Sequence, residues 1–217
     1  MADKHSAKGP MEESKKNILV LDVETQKSFK EIGKSKAMSL SKLKVSVVGV
    51  YDYLTGEYIS YEEKDMMKFE ERLQTADLLI GFNIRRFDMA VLQPYLFKTV
   101  DQFPVLDLLD DIEKARGHRA SLDSVARATV KEGKSGDGAE ALVLFKEGRM
   151  DELKKYCLDD VRLTKDVYEY GCREGKIYFT STWDFKTYEI PVQWKQTTAE
   201  FLKKKSTPST DFPTSLF

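Results

Sequence analysis

Apolar positions along this chain fall into two patterns, short continuous runs and stripes spaced by three and four residues. Ile18 to Leu21 (ILVL) and Asp77 to Phe82 (DLLIGF) belong to the first, the mark of strands buried on both faces of a sheet. Lys44 to Tyr53 (KVSVVGVYDY) and Glu57 to Tyr61 predict two further strands, joined through Leu54-Thr55-Gly56 as a hairpin. Pro104 to Leu109 (PVLDLL) is another strand candidate. Met66, Met67, Phe69 and Leu73 recur at helical spacing and predict a helix over 66–75. A helix is expected from about Arg85 to Phe97, and two short ones over 122–130 and 140–145, with the glycine-rich stretch 132–138 between them. Asp151 is placed to cap a longer helix running to about Gly171 or a little beyond. Ile177 to Thr180 and Thr187 to Val192 read as a terminal hairpin over Trp183 and Trp194. Antiparallel strands first, then strands alternating with helices, predict an α/β fold with one mixed central sheet flanked by helices.

Composition narrows the class. The 217 residues suffice for one domain with a substantial core, expected over 16–200, between a flexible segment 1–15 and a flexible tail 201–217. Residues 26–43 are polar and read as an excursion at the sheet edge. Lys and Arg number 35 against 36 Asp and Glu, so no overall basic field announces nucleic acid, and a local patch would have to do that work. Cys157 and Cys172, the two cysteines, fall on one expected helix about 22 Å apart, too far to pair. Reduced thiols and an intracellular, cytoplasmic setting are expected. The opening residues are too polar for a signal peptide and no run is long enough to span a membrane.

Three groups of acids do not fit their surroundings. Asp22 and Glu24 follow the ILVL run directly, and two positions apart on a strand they point to one face. Close like charges repel, so either a divalent cation lies between them or the strand ends at Leu21 and both acids are solvated. Asp88, in GFNIRRFD, sits one turn into the helix that follows a strand, where open α/β sheets place their ligands; an acid early in a helix also simply favours the dipole. Asp160 lies on the apolar stripe Leu153, Tyr156, Cys157, Thr164, Val167, Gly171, while Asp159 turns toward solvent. Tyr156 stands one turn before Asp160 on the same face.

In this order, LDVET, GFNIRRFD and YCLDD resemble the three motifs of the DEDD exonuclease superfamily, whose fold is ribonuclease H-like. Asp22 and Glu24 match the first. Asn83, Phe87 and Asp88 match the second, in the version found in family B DNA polymerase proofreading domains. Tyr156 and Asp160 match the third. Tyrosine four residues before the last Asp resembles the DEDDy branch; the DEDDh branch has histidine five before, where this chain has Lys155. With no polymerase domain beside it, the chain is similar to the YprB-like stand-alone exonucleases.

The resemblance implies a 3′–5′ exonuclease acting on single-stranded or frayed DNA or RNA. Asp22, Glu24, Asp88 and Asp160 would hold two Mg²⁺ or Mn²⁺ ions, Asp22 bridging both, Glu24 and Asp160 completing one shell and Asp88 serving the other. Tyr156 would orient the attacking water; with an ordinary pKa near 10 it is a poor general base. Thr25, Asn83, Arg85 and Arg86 are the expected substrate contacts, the two arginines for phosphate. Further basic clusters are Lys34, Lys36, Lys42 and Lys44, and Arg116, His118 and Arg119. Phe82 and Phe87 are either core or stacking surfaces. The terminal Ser215-Leu216-Phe217 is either a frayed end or a peptide docking a protein partner. Two competing readings are a catalytically weak nucleic-acid-binding module of this fold and a structure-specific endonuclease.

Overall fold

The computed structural model describes residues 17–33, 40–134, 136, 138–181 and 183–205. The expected flexible segment 1–15, Lys34, Lys36 and the terminal Ser-Leu-Phe lie outside these residues. Five strands form one sheet: β1 (Ile18–Thr25), β2 (Val45–Asp52), β3 (Glu57–Glu62), β4 (Leu78–Gly81) and β5 (Val105–Asp107), in the order β3-β2-β1-β4-β5. β1 pairs antiparallel with β2 and parallel with β4, β2 pairs antiparallel with β3, and β4 parallel with β5. This is the mixed sheet predicted from the order of runs and stripes. The helices are α1 (Phe29–Ile32), α2 (Met66–Thr75), α3 (Asp88–Leu92), α4 (Leu108–Arg116), α5 (Leu122–Thr129), α6 (Gly138–Lys146), α7 (Met150–Glu174) and α8 (Trp194–Lys205). A separate hairpin, β6 (Lys176–Thr180) with β7 (Thr187–Pro191), precedes α8. No helix among the described residues is long and apolar enough to cross a membrane.

Alternation along β1 divides the core into two layers. Ile18 and Val20 face a layer with Leu108 and Ile112 of α4, Val125 of α5, and Val161, Leu163 and Val167 of α7, closed by Ile177 and Trp194. Leu19, Leu21 and Val23 face the other, with Phe69 and Leu73 of α2 and Met89 and Leu92 of α3. Such a strand, apolar on both faces, is what the uninterrupted run encodes.

Several expectations need correction. The helix expected over 85–97 is only α3, followed by a 3-10 turn at Gln93–Tyr95. The chain turns through residues 82–87 with Asn83 at φ 69°, and Pro94 supplies no N–H to extend the helix. Asp88 is therefore the first helical residue, not one turn in. The strand expected over 104–109 stops at Asp107, whose carboxylate accepts from Leu109 N and Asp110 N and starts α4. The long helix is capped at Arg149, ahead of Asp151; its end at Glu174, a little beyond Gly171 as expected, is set by Gly175 in the left-handed region. Residues 201–205 are the last part of α8. Trp194 is fully buried, but Trp183, expected under the hairpin, is 90% exposed.

Candidate active site

Asp22 and Glu24 continue the face of Ile18 and Val20, so they point to the side of the sheet that α7 covers. Register and residue size then bring α7 down onto them. Asp22 lies opposite Gly49 of β2, and a Cβ at Gly49 would stand 2.9 Å from Cys157 Sγ and 3.0 Å from Val161 Cγ2. The helix thus rests directly on the strand pair, with Cys157 Sγ 3.5 Å from Asp22 O and 3.8 Å from Asp22 Oδ2. Asp160, one turn along the same face, is carried to the acids of β1. Oxygens of Asp22, Glu24 and Asp160 lie within 4.8 Å of one another. They line a cleft of about 400 Å³ together with Thr25, Phe29, Phe87 and the buried Tyr156.

Asp88 stands beside this group rather than in it. β4 ends at Gly81, leaving the far part of β1 open on that side, and Val23 N donates to Asp88 Oδ1 at 2.9 Å. Asp88 is 3% exposed, and burial, then the charge of Asp22, raises its pKa well above the usual carboxylate range.

The three clustered acids repel strongly. Burial, then the charge of Asp160, pushes Asp22 up to about 7. Burial and the charges of Asp22 and Asp160 drive Glu24 well above its ordinary range. Burial also raises Asp160, although Lys134 works against it. Lys134, which sequence reasoning passed over as part of a glycine-rich connection, reaches in from between α5 and α6 and hydrogen-bonds Asp160 Oδ2. Its ammonium also feels the charges of Asp22 and Glu24. One cation thus already sits against a cluster built from carboxylate oxygens alone, the donor set that suits hard ions such as Mg²⁺ or Mn²⁺. The residues fit a divalent metal.

A family model described as RNase_H superfamily matches residues 19–172, a span that runs from β1 into α7 and includes all the clustered acids. The chain belongs to the RNase_H superfamily. Among solved structures it is similar to the family B DNA polymerase from the hyperthermophilic archaeon Pyrobaculum calidifontis, at 17% identity and a TM-score of 0.56. That likeness covers 71% of this chain and only 24% of the polymerase, and it speaks for the shared fold. No curated protein sequence matches the chain. Membership of the RNase_H superfamily, together with the acid cluster, points to a nuclease.

The remaining expected site residues are placed less directly. Thr25 lines the cleft, its hydroxyl donating to Lys27 O at 3.0 Å. Asn83 N and Arg85 N donate to the two carboxylate oxygens of Asp107, each at 2.9 Å, so this buried acid organises the turn before Asp88. Its position inside an apparent strand hid that role. The Arg85 guanidinium turns away to Val105 O, and Arg86 pairs with Asp110 at 3.3 Å and Glu113 at 3.1 Å. Neither arginine lines the cleft. Arg119 instead joins the turn, donating to Asn83 Oδ1 at 2.6 Å.

Proposed function

We propose that this RNase_H superfamily member is a metal-dependent 3′–5′ exonuclease that hydrolyses phosphodiester bonds of a single or frayed strand. The observation that carries the reading is the convergence of Asp22, Glu24 and Asp160 in one cleft with Tyr156. The three carboxylates would hold the metal, with Asp88 close enough to Asp22 to share in a second site while its other role is to tie α3 to β1. Bound there, divalent ions would lower the pKa of water and neutralise charge developing on the phosphate. Tyr156, on the wall of the cleft, would orient the attacking water through its hydroxyl. Phe29 and Phe87, with ring centroids 6.2 Å apart, offer an apolar wall for the terminal base. The 3′ direction and the DEDDy assignment rest on the motif resemblance.

The test uses 5′-labelled single-stranded DNA and RNA with Mg²⁺ or Mn²⁺, comparing the wild-type chain with Asp22→Ala and Asp160→Asn. A ladder shortening from the 3′ end is expected, with either variant reducing turnover on the order of 10³-fold, since each removes several kcal/mol of charge stabilisation. Absence of cleavage by wild type, or equal cleavage by the variants, overturns the reading. Cleavage of a circular single strand would favour an endonuclease instead.

A further inference from the structure

A group of exposed aromatic rings lies outside the acid cleft. Trp183 is 90% exposed, Phe185 83% and Tyr188 42%, all three at or beside the tip of the β6–β7 hairpin. Apolar rings of this size are seldom left in water without a partner. The tip is held in shape: Ser181 N donates to Lys186 O at 2.9 Å, Phe185 N to Ser181 O at 3.0 Å, and Trp183 N to Ser181 Oγ at 3.2 Å. Phe185 takes φ 56°, a conformation a bulky residue adopts only when its surroundings impose it.

The neighbouring charge indicates what would sit there. A cavity of about 550 Å³ lies between the tip and the end of α4, lined by Trp183, Tyr188, Arg116 and His118 among others, and it shares no residue with the acid cleft. Arg116 makes no ion pair among the described residues; its guanidinium lies 3.6 Å from the centroid of the Phe179 ring and donates to Arg119 O at 3.4 Å. Arg119 in turn binds Asn83 and pairs with Glu113 at 3.4 Å. A basic ridge therefore runs from the turn that carries Asp88 to the aromatic tip. The two acids of the cavity wall are already engaged, Asp184 by the Tyr188 hydroxyl and Glu189 by Lys176 at 2.7 Å. Exposed rings beside a guanidinium that makes no ion pair, here Arg116, are the combination that binds single-stranded nucleic acid, the rings stacking on bases and the guanidinium taking phosphate.

We infer that the β6–β7 tip is a base-stacking platform that grips the single strand upstream of the end held in the acid cleft, with Arg119 and Arg116 tracking the backbone between the two. This rests on the nuclease reading for the identity of the ligand. The chain reports on itself, because of its two tryptophans Trp194 is fully buried and Trp183 is not. Full-length Asp22→Ala protein in EDTA, which cannot turn over, is titrated with a single-stranded oligonucleotide long enough to span both sites while tryptophan emission is read. Base-dependent quenching is expected, weak or missing with an abasic strand of equal length. Trp183→Leu should bind the labelled oligonucleotide about tenfold more weakly with unchanged Tm. Phe185→Leu should weaken binding while Trp183 still reports.

Equal quenching by the abasic strand, no quenching by either, or unchanged affinity in both variants overturns the platform; in those cases the tip is a contact for a protein. The two readings fail separately. Quenching by a strand that the wild-type chain with metal never cleaves removes the hydrolytic function and leaves the platform. Cleavage without quenching does the reverse.

Discussion

Asp22 sits at the centre of the electrostatic conflict among the clustered acids. Its carboxyl titrates at about 7 in the metal-free fold, raised by burial and then by Asp160, against about 4 in an unfolded chain. A raised carboxyl pKa means that ionising the group costs the native state more than the unfolded one. That cost is nil below about pH 4, grows as pH rises toward 7, and is constant above it. In EDTA, Asp22→Asn is therefore expected to melt higher than wild type at pH 8, with the difference shrinking as pH falls toward 4. Melting curves across that range check it, and a variant that melts lower at pH 8 contradicts it. Saturating Mg²⁺ should reverse the order, because binding stabilises only the chain that still holds the ion. Lys134 belongs to the same conflict, as the one ammonium among the described residues that hydrogen-bonds a clustered acid.

At the scale of elements, the site depends on how close α7 comes to β2. Gly49→Ala puts a methyl group into contact with Cys157 Sγ and Val161 Cγ2, and α7 must lift to make room. We expect a loss of about 1–3 kcal/mol in stability, measured by urea unfolding. Nuclease turnover should also fall, because Asp160 rides on that helix. A variant as stable and active as wild type would show that α7 is not held there by contact. The elements themselves were largely legible: β2, β3, α2 and the hairpin follow from periodicity within a residue or two, while β1 runs on from its apolar run to Thr25. The misread strand over 104–109 has a local cause. Leu108 and Leu109 extend an apolar run, yet Asp107 caps a helix there, since capping by a buried carboxylate is a three-dimensional event that a short apolar run does not reveal.

Across the whole molecule, α8 closes the layer on the α7 side. Trp194 stacks on Tyr168, with ring centroids 6.3 Å apart, and sits against Gly171, where a Cβ would meet its ring at 2.3 Å. Tyr168 and Thr198 hydroxyls meet at 2.8 Å and join the same two helices. Trp194→Ala is expected to cost about 3–5 kcal/mol in chemical denaturation. Below its lowered Tm the acid cleft should still bind metal, because the residues lining it come from elements other than α8. Loss of metal binding in the folded variant would instead place α8 within the support of the site.

By itself the sequence determined the strand runs, the helix stripes and the identity and facing of the acids. These are local properties: the two-residue period of β1 puts Asp22 and Glu24 on one face, and the period of α7 puts Tyr156 and Asp160 on another. Only the tertiary structure decided which acids meet. Gly49 lets α7 settle over Asp22 and completes a group of three, while the end of β4 leaves Val23 N to take the carboxylate of Asp88. It also turned Arg85 and Arg86 outward, brought Lys134 in, and left Trp183 and Phe185 in water beside Arg116. Each of these is set by contact between segments distant along the chain, where neither spacing nor composition carries information about distance.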